Sequence, residues 1–175
     1  PGGLWVELTL EQSRYVQDTG ADLYRRSLYT YWKRTIAPPG MLVMDAPQRE
    51  ACSVRVSRTN TPLQALNLMN DVTYVEASRL LAERMLAEGG ASPEERVAFG
   101  YRLATVREPS PAETKVLVEG FRHHLDRYRT DRTAALKLVS EGEYPRNQAL
   151  EVAELASYTT VASLILNLDE TITKE

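Results

Sequence analysis

The sequence has a single cysteine, two histidines and no surplus of positive charge, and each shortage removes a class of function. Cys52 has no second cysteine to pair with, so no intrachain disulfide forms and cysteine usage says nothing about compartment. His123 and His124 are neighbours; on a helix they point about 100° apart and cannot grip one metal from the same face. Their simplest reading is a partly exposed helix face. A net charge of −3 argues against nucleic-acid binding as the main activity. No GxSxG, glycine-rich phosphate loop or HExxH occurs. The longest apolar stretch, Leu155 to Leu168, falls short of the roughly 20 residues that cross a bilayer. The opening "PGGLWVELTL" has neither the basic start nor the apolar core of a signal peptide. It also lacks an initiator methionine, so the expectation is a processed or excised piece of a longer protein.

What is present suits an ordinary soluble fold. The chain is 43% hydrophobic and 26% charged, and 175 residues suffice to bury a core without a metal or disulfide. Leu4, Val6, Leu8 and Leu10 alternate with Trp5, Glu7 and Thr9, which predicts a short N-terminal β-hairpin strand or extended arm. From Asp22 the spacing turns helical through Leu23, Tyr24, Ser27, Leu28, Tyr31, Trp32 and Ile36, and "APPG" is expected to end that helix. Met41 to Arg58 reads as a long loop, with a second extended piece around Cys52, Val54 and Val56.

Beyond Thr61 almost everything reads as helix. "PLQALNLMN", "VTYVEASRLLAERMLAE", "PEERVAFGYRLATVR", "PAETKVLVEGFRHHLDRYR", "RTAALKLVSEG" and "QALEVAELASYTTVASLILNL" are the expected segments, with Gly89-Gly90 closing the second. The fold class is therefore mainly α: an irregular helical bundle of about six helices with a long loop, in a single domain over residues 1–175. The last segment carries no charge from Leu155 to Leu168 and should be the buried central helix. Its stripe Ala156, Thr160, Ser163 and Asn167 would let a neighbour approach closely, and Asn167, Asp169 and Glu170 should serve as helix-end partners.

One start signal recurs three times. Thr61-Pro62-Leu63-Gln64, Ser92-Pro93-Glu94-Glu95 and Ser110-Pro111-Ala112-Glu113 are capping boxes with proline at the first helical position. The hydroxyl accepts from the third residue's amide and the Gln or Glu reaches back, an arrangement whose loss costs about 1 kcal/mol. The polar knot Thr59-Asn60-Thr61 is thus first a helix start, with Thr59 and Asn60 left as turn formers or anchors. Asn70 suits a helix end and Asp71 the cap of the next helix.

Two constellations could carry chemistry. "YRRSLYTYWKR" sets Tyr24, Tyr29, Tyr31 and Trp32 among cations, with Arg49, Arg55 and Arg58 following, a mixture able to stack on sugar rings or hold an anionic polymer. The plainer alternative buries the aromatics and pairs the arginines with Asp45 and Glu50. Asp45, Asp169 and Glu170 are the best carboxylates for acid–base work on a glycoside, though such residues are more often caps or ion-pair partners.

Several strings then stand together in one order: "LYRRSLYTYWKRTIAPPGM", "DAPQREACSVRVSRTNTPLQALNLMND", "YVEASRLLAERML", "REPSPAE" and "SLILNLDETITKE". From about Leu23 to Glu175 the chain resembles the planctomycete-specific C-terminal domain of unknown function. That family occurs in large multidomain proteins, many with a cytochrome-c-like domain near the N-terminus. The resemblance implies an extracytoplasmic (periplasmic or cell-surface) setting, upstream domains of the same polypeptide as partners, and no known activity. No CxxCH motif is present, so no haem is carried over and no cofactor is expected in this chain. Asp71-Val72 departs from the Asp-Pro expected there, a matter of cap detail only. If the family shares a site, the resemblance places it at Arg26, Trp32, Asp45, Arg49, Arg55, Arg58, Thr59 and Asn60.

Three functional expectations follow. The first is a non-catalytic helical scaffold or interaction module that packs against upstream domains or binds a surface glycan. The second is a polysaccharide hydrolase using Asp45, Asp169 or Glu170. The third is an accessory that docks a cytochrome, recognisable by salt-sensitive complex formation.

Overall fold

All three proline-bearing boxes open helices in the computed structural model, which describes residues 16–32, 37–47 and 59–173. The chain divides into two units, Pro1–Thr59 and Asn60–Glu175. The fold is all-α, and among the described residues no strand occurs. The extended pieces expected at 4–10 and 52–56 lie outside the described residues.

In the first unit, the helix expected from Asp22 does not form. Two 3₁₀ turns, Gly20–Tyr24 and Ser27–Tyr29, stand in its place, separated by Arg25 and Arg26 with ψ near 150° and 144°. The helical spacing is real, but a helix this short is stabilised mainly by burying its apolar stripe. Here Leu28, Tyr29 and Tyr31 are all more than 60% exposed. The reading of these aromatics as core is corrected accordingly; Trp32 is half-buried. The prolines also act differently from expectation. Pro39 sits at the first position of α1 (Pro39–Val43) and starts a short helix, where its missing N–H costs nothing. The chain then turns at Asp45, whose φ of 57° lies in the left-handed region that Asp tolerates better than most residues.

In the second unit, α2 (Pro62–Asn70) and α3 (Val72–Glu88) match the sequence reading residue for residue. Thr61 and Gln64 complete the first box, and Asp71 caps α3 by accepting from the Thr73 amide at 2.9 Å. The boxes at Ser92 and Ser110 likewise open α4 (Pro93–Thr105) and α5 (Pro111–Thr130). Then follow α6 (Arg132–Val139), α7 (Val152–Leu166) and the single-turn α8 (Asp169–Ile172).

The uncharged helix α7 is the centre, as its composition predicts, with α3, α5 and α6 packed most extensively around it. Leu155, Ala156, Tyr158, Val161, Ala162 and Ile165 are wholly buried there, and Tyr158 stacks on Phe121 of α5 with ring centroids 4.2 Å apart. Two of its hydroxyls are satisfied within the helix: Ser157 donates to the Ala153 carbonyl at 2.6 Å and Thr159 to that of Leu155 at 2.8 Å. On the expected small stripe, Ala156 is buried and the Thr160 hydroxyl lies 3.4 Å from that of Tyr128 on α5.

Candidate functional site

Asn60, the string "REPSPAE" and the Asp169-Glu170 pair meet at one end of the second unit. Val106, at φ 65°, ends α4 in a left-handed conformation that a β-branched residue adopts only under strain. This sharp turn swings Arg107, the first residue of "REPSPAE", back along its own helix. Its Nε and Nη2 form a fork on Glu170 at 2.9 and 2.7 Å. Its Nη1 and Nη2 reach Glu113 at 3.0 and 2.6 Å. The Tyr101 hydroxyl, on an almost fully buried side chain, stands 2.8 Å from Glu113 and 2.5 Å from Glu170. Glu113 is also the reaching arm of the Ser110 box, accepting from the Ser110 amide at 2.7 Å. On α8 beside Glu170, Asp169 accepts from the Asn60 side-chain amide at 2.8 Å.

The electrostatics of this cluster follow from the shared guanidinium. Arg107 first, and then the Ser110 amide and hydroxyl, hold the Glu113 carboxyl well below the usual carboxylate range. Arg107 and then Tyr101 lower Glu170 in the same way. Burial, followed by the hydrogen bonds to Glu170 and Glu113, raises the Tyr101 hydroxyl. Carboxylates lowered by folding contribute stability that is complete above the ordinary glutamate value of about 4.3 and is lost as pH falls through the folded value. Thermal unfolding followed from about pH 5 to 3 is therefore expected to show a falling midpoint. The double variant Glu113→Gln/Glu170→Gln should flatten that fall, at the cost of a lower midpoint at neutral pH.

A second polar constellation lies along α3. Glu76, Arg79 and Glu83 occur at helical spacing on one face, and all three engage the segment after α6. Glu76, only 5% exposed, accepts from the Tyr144 amide at 2.9 Å. Arg79, 1% exposed, donates to Glu83 at 2.8 Å and to the Tyr144 carbonyl at 2.6 Å. Glu83 in turn accepts from the Asn147 amide. Gly142, at φ 95°, passes so close that a Cβ there would fall 1.9 Å from the Glu76 carboxylate. These side chains of α3 tie down the backbone of the segment after α6.

The predicted site residues are distributed over both units. In the first, Asp45 accepts from both the amide and the hydroxyl of Thr59 at 2.7 Å. The Arg26 guanidinium lies 5.9 Å from the Tyr29 ring centroid on an exposed surface. Arg49, Arg55 and Arg58 lie outside the described residues. In the second unit, Asn60, Asp169 and Glu170 share the end described above. Sequence reasoning did not single out Tyr101 or Arg107, and it read Glu113 only as the reaching arm of a capping box, although Arg107 and Glu113 frame one of the quoted strings. His124 is half-buried, and its imidazole is lowered by burial and by the neighbouring charges of His123 and Arg127. Among the described residues, no three His, Cys, Asp or Glu side chains group as metal ligands, and no helix is long and apolar enough to cross a membrane.

Two grooves mark the surface of the second unit. One, of about 520 Å³, runs between Glu94, Pro111, Lys115, Val118 and Arg122, with Arg122 paired to Glu94 at 3.1 Å. The other, of about 250 Å³, is lined by Met69, Tyr128, Leu138, Thr160 and Leu164. Neither is lined by Asp169 or Glu170. Helix α2 carries no charged residue and exposes Leu63, Leu66 and Met69 along one side.

Comparison with curated proteins and with solved structures returns no match for this chain. A family model does match, over residues 1–121, a span that holds the Asn60 knot and the Arg107–Glu113 string but stops before α7 and Glu170. The match covers well over half of the sequence, and the chain belongs to the family described as "PSD1: Protein of unknown function (DUF1553)".

Proposed function

We propose that this chain is a non-catalytic helical scaffold or interaction module of an extracytoplasmic, multidomain planctomycete protein, one that packs against upstream domains of the same polypeptide and binds a surface glycan. The observation that carries the reading is the employment of the candidate carboxylates. Asp45 is taken up by Thr59, Asp169 by Asn60, and Glu170 by Arg107 and Tyr101. A glycosidase needs one carboxyl raised to act as an acid, beside a second at the correct separation. Glu170 is lowered instead. A glycan partner is favoured by the exposed rings of Tyr24, Tyr29 and Tyr31 in the first unit, with Arg26 beside Tyr29. Aromatic faces of this kind stack on sugar rings, and nearby arginines supply donors.

The test is a binding screen of the chain against a glycan panel and, in parallel, against separately expressed upstream domains. Saturable glycan binding that Trp32→Ala or Tyr29→Ala weakens at least tenfold, with helicity unchanged, is the expected result. Binding to the upstream domains alone makes the module architectural and removes the glycan. Release of reducing sugar that Asp45→Asn abolishes would overturn the non-catalytic reading altogether.

A further inference from the structure

Helix α8 is attached differently from every other helix of the second unit. It is one turn long, none of its side chains is fully buried, and it follows directly on the central helix. What holds it is polar: Asn60 on Asp169, the Arg107 fork and the Tyr101 hydroxyl on Glu170, and the Thr171 hydroxyl on the Ile165 carbonyl at 2.9 Å. Glu113 keeps the Arg107 Nη1 and the Ser110 amide whether or not Glu170 is present, because those two donors do not touch Glu170; only Nη2 is shared. The central helix α7 packs mainly on α3, α5 and α6 and only slightly on α8.

We propose that α8 is a strap that opens as a unit while α3 to α7 stay folded, and that opening frees two things at once. The Nε edge of Arg107 loses Glu170 while Nη1 and Nη2 keep Glu113, leaving that edge open to another carboxylate. Asn60, the first residue of the unit, loses its tether to the chain's far end. Because exposed ion pairs are screened by salt whereas apolar burial is not, the strap's closure is ionic-strength-dependent and the bundle's is not.

Residue-resolved amide hydrogen exchange tests this on the full chain, wild type against Glu170→Gln. The Thr171, Ile172 and Thr173 amides close the turn onto Leu168 and Asp169 and report the strap; those of Tyr158 and Ala162 report the bundle. Strap protection is expected to drop severalfold in Glu170→Gln, and in wild type on raising sodium chloride from about 0.05 to 1 M, while bundle protection is unchanged. Strap amides that exchange rapidly and alike in both proteins would mean simple fraying of a chain end, and the proposal fails. Strap amides that exchange only together with Tyr158 and Ala162 would make α8 an integral part of the bundle, and the proposal fails equally.

Discussion

Tyr158→Ala is expected to lower the free energy of unfolding by about 3–5 kcal/mol, the usual cost of deleting a fully buried aromatic ring. The ring sits at the centre of α7, wholly buried and stacked on Phe121, so its removal leaves a cavity that three helices must collapse to fill. Tyr158→Phe separates ring from hydroxyl. No hydrogen bond of good geometry reaches the hydroxyl, although the Arg96 guanidinium, 5.7 Å from the ring centroid, interacts with it electrostatically. Phenylalanine should therefore be within about 1 kcal/mol of the natural residue, because no partner is left unsatisfied. Urea denaturation of the two variants checks both values. Similar losses in the two would show that the hydroxyl, and not the packing, carries the site.

Arg79→Ala is the second large effect, expected at about 3–5 kcal/mol. A buried guanidinium is costly to desolvate, but once it is in place its removal strands its acceptors. Glu83 would lose its 2.8 Å ion pair and the Tyr144 carbonyl its donor. The loss should also be local in a way that Tyr158→Ala is not. Exchange protection of the Tyr144 and Asn147 amides, held by Glu76 and Glu83, should fall before that of α5 and α7. Arg79→Met, which fills much of the same volume without leaving a buried charge, should recover part of the global stability but none of the local protection. A variant with uniform protection loss across the bundle would show that this segment has no independent contribution.

The parts of the fold legible in sequence were those whose causes are local. A proline-bearing capping box specifies a helix start within four residues, and three such boxes placed α2, α4 and α5 correctly. The absence of charge from Leu155 to Leu168 marked the central helix for the same reason: burial penalises charge wherever it falls. The segment from Asp22 failed because helical spacing is necessary and not sufficient. Leu28, Tyr29 and Tyr31 stay exposed, so the apolar stripe is not buried and the chain settles into 3₁₀ turns. "APPG" misled through a related ambiguity, since a proline that cannot continue one helix is well suited to begin another.

The candidate site was half legible. Asp169, Glu170 and Asn60 stood out as polar groups at helix ends, and they do meet in space. Arg107 lies 63 residues from Glu170 in sequence, and no spacing rule connects them. Only the turn at Val106, a conformation its side chain disfavours, aims that arginine correctly, and backbone strain of this sort leaves no compositional trace. The Glu76 contact with the Gly142 turn is hidden for the same reason: it joins two segments whose individual sequences are unremarkable loop and helix.

The position of α7 in the chain has a consequence for biosynthesis. The helix on which α3, α5 and α6 converge is made after all three of them. Ribosomes extend chains at about 5–20 residues per second, so roughly 4–16 s separate completion of α3 at Glu88 from that of α7 at Leu166. Until α7 is made, Met85, and Val118 and Phe121 once they are synthesised, have no central helix to close upon. The nascent chain must carry several adhesive helices past the tunnel mouth before any of them can be sealed. Truncations ending before α7 are expected to be recovered as aggregates, since Met85, Val118 and Phe121 then lack the helix that covers them.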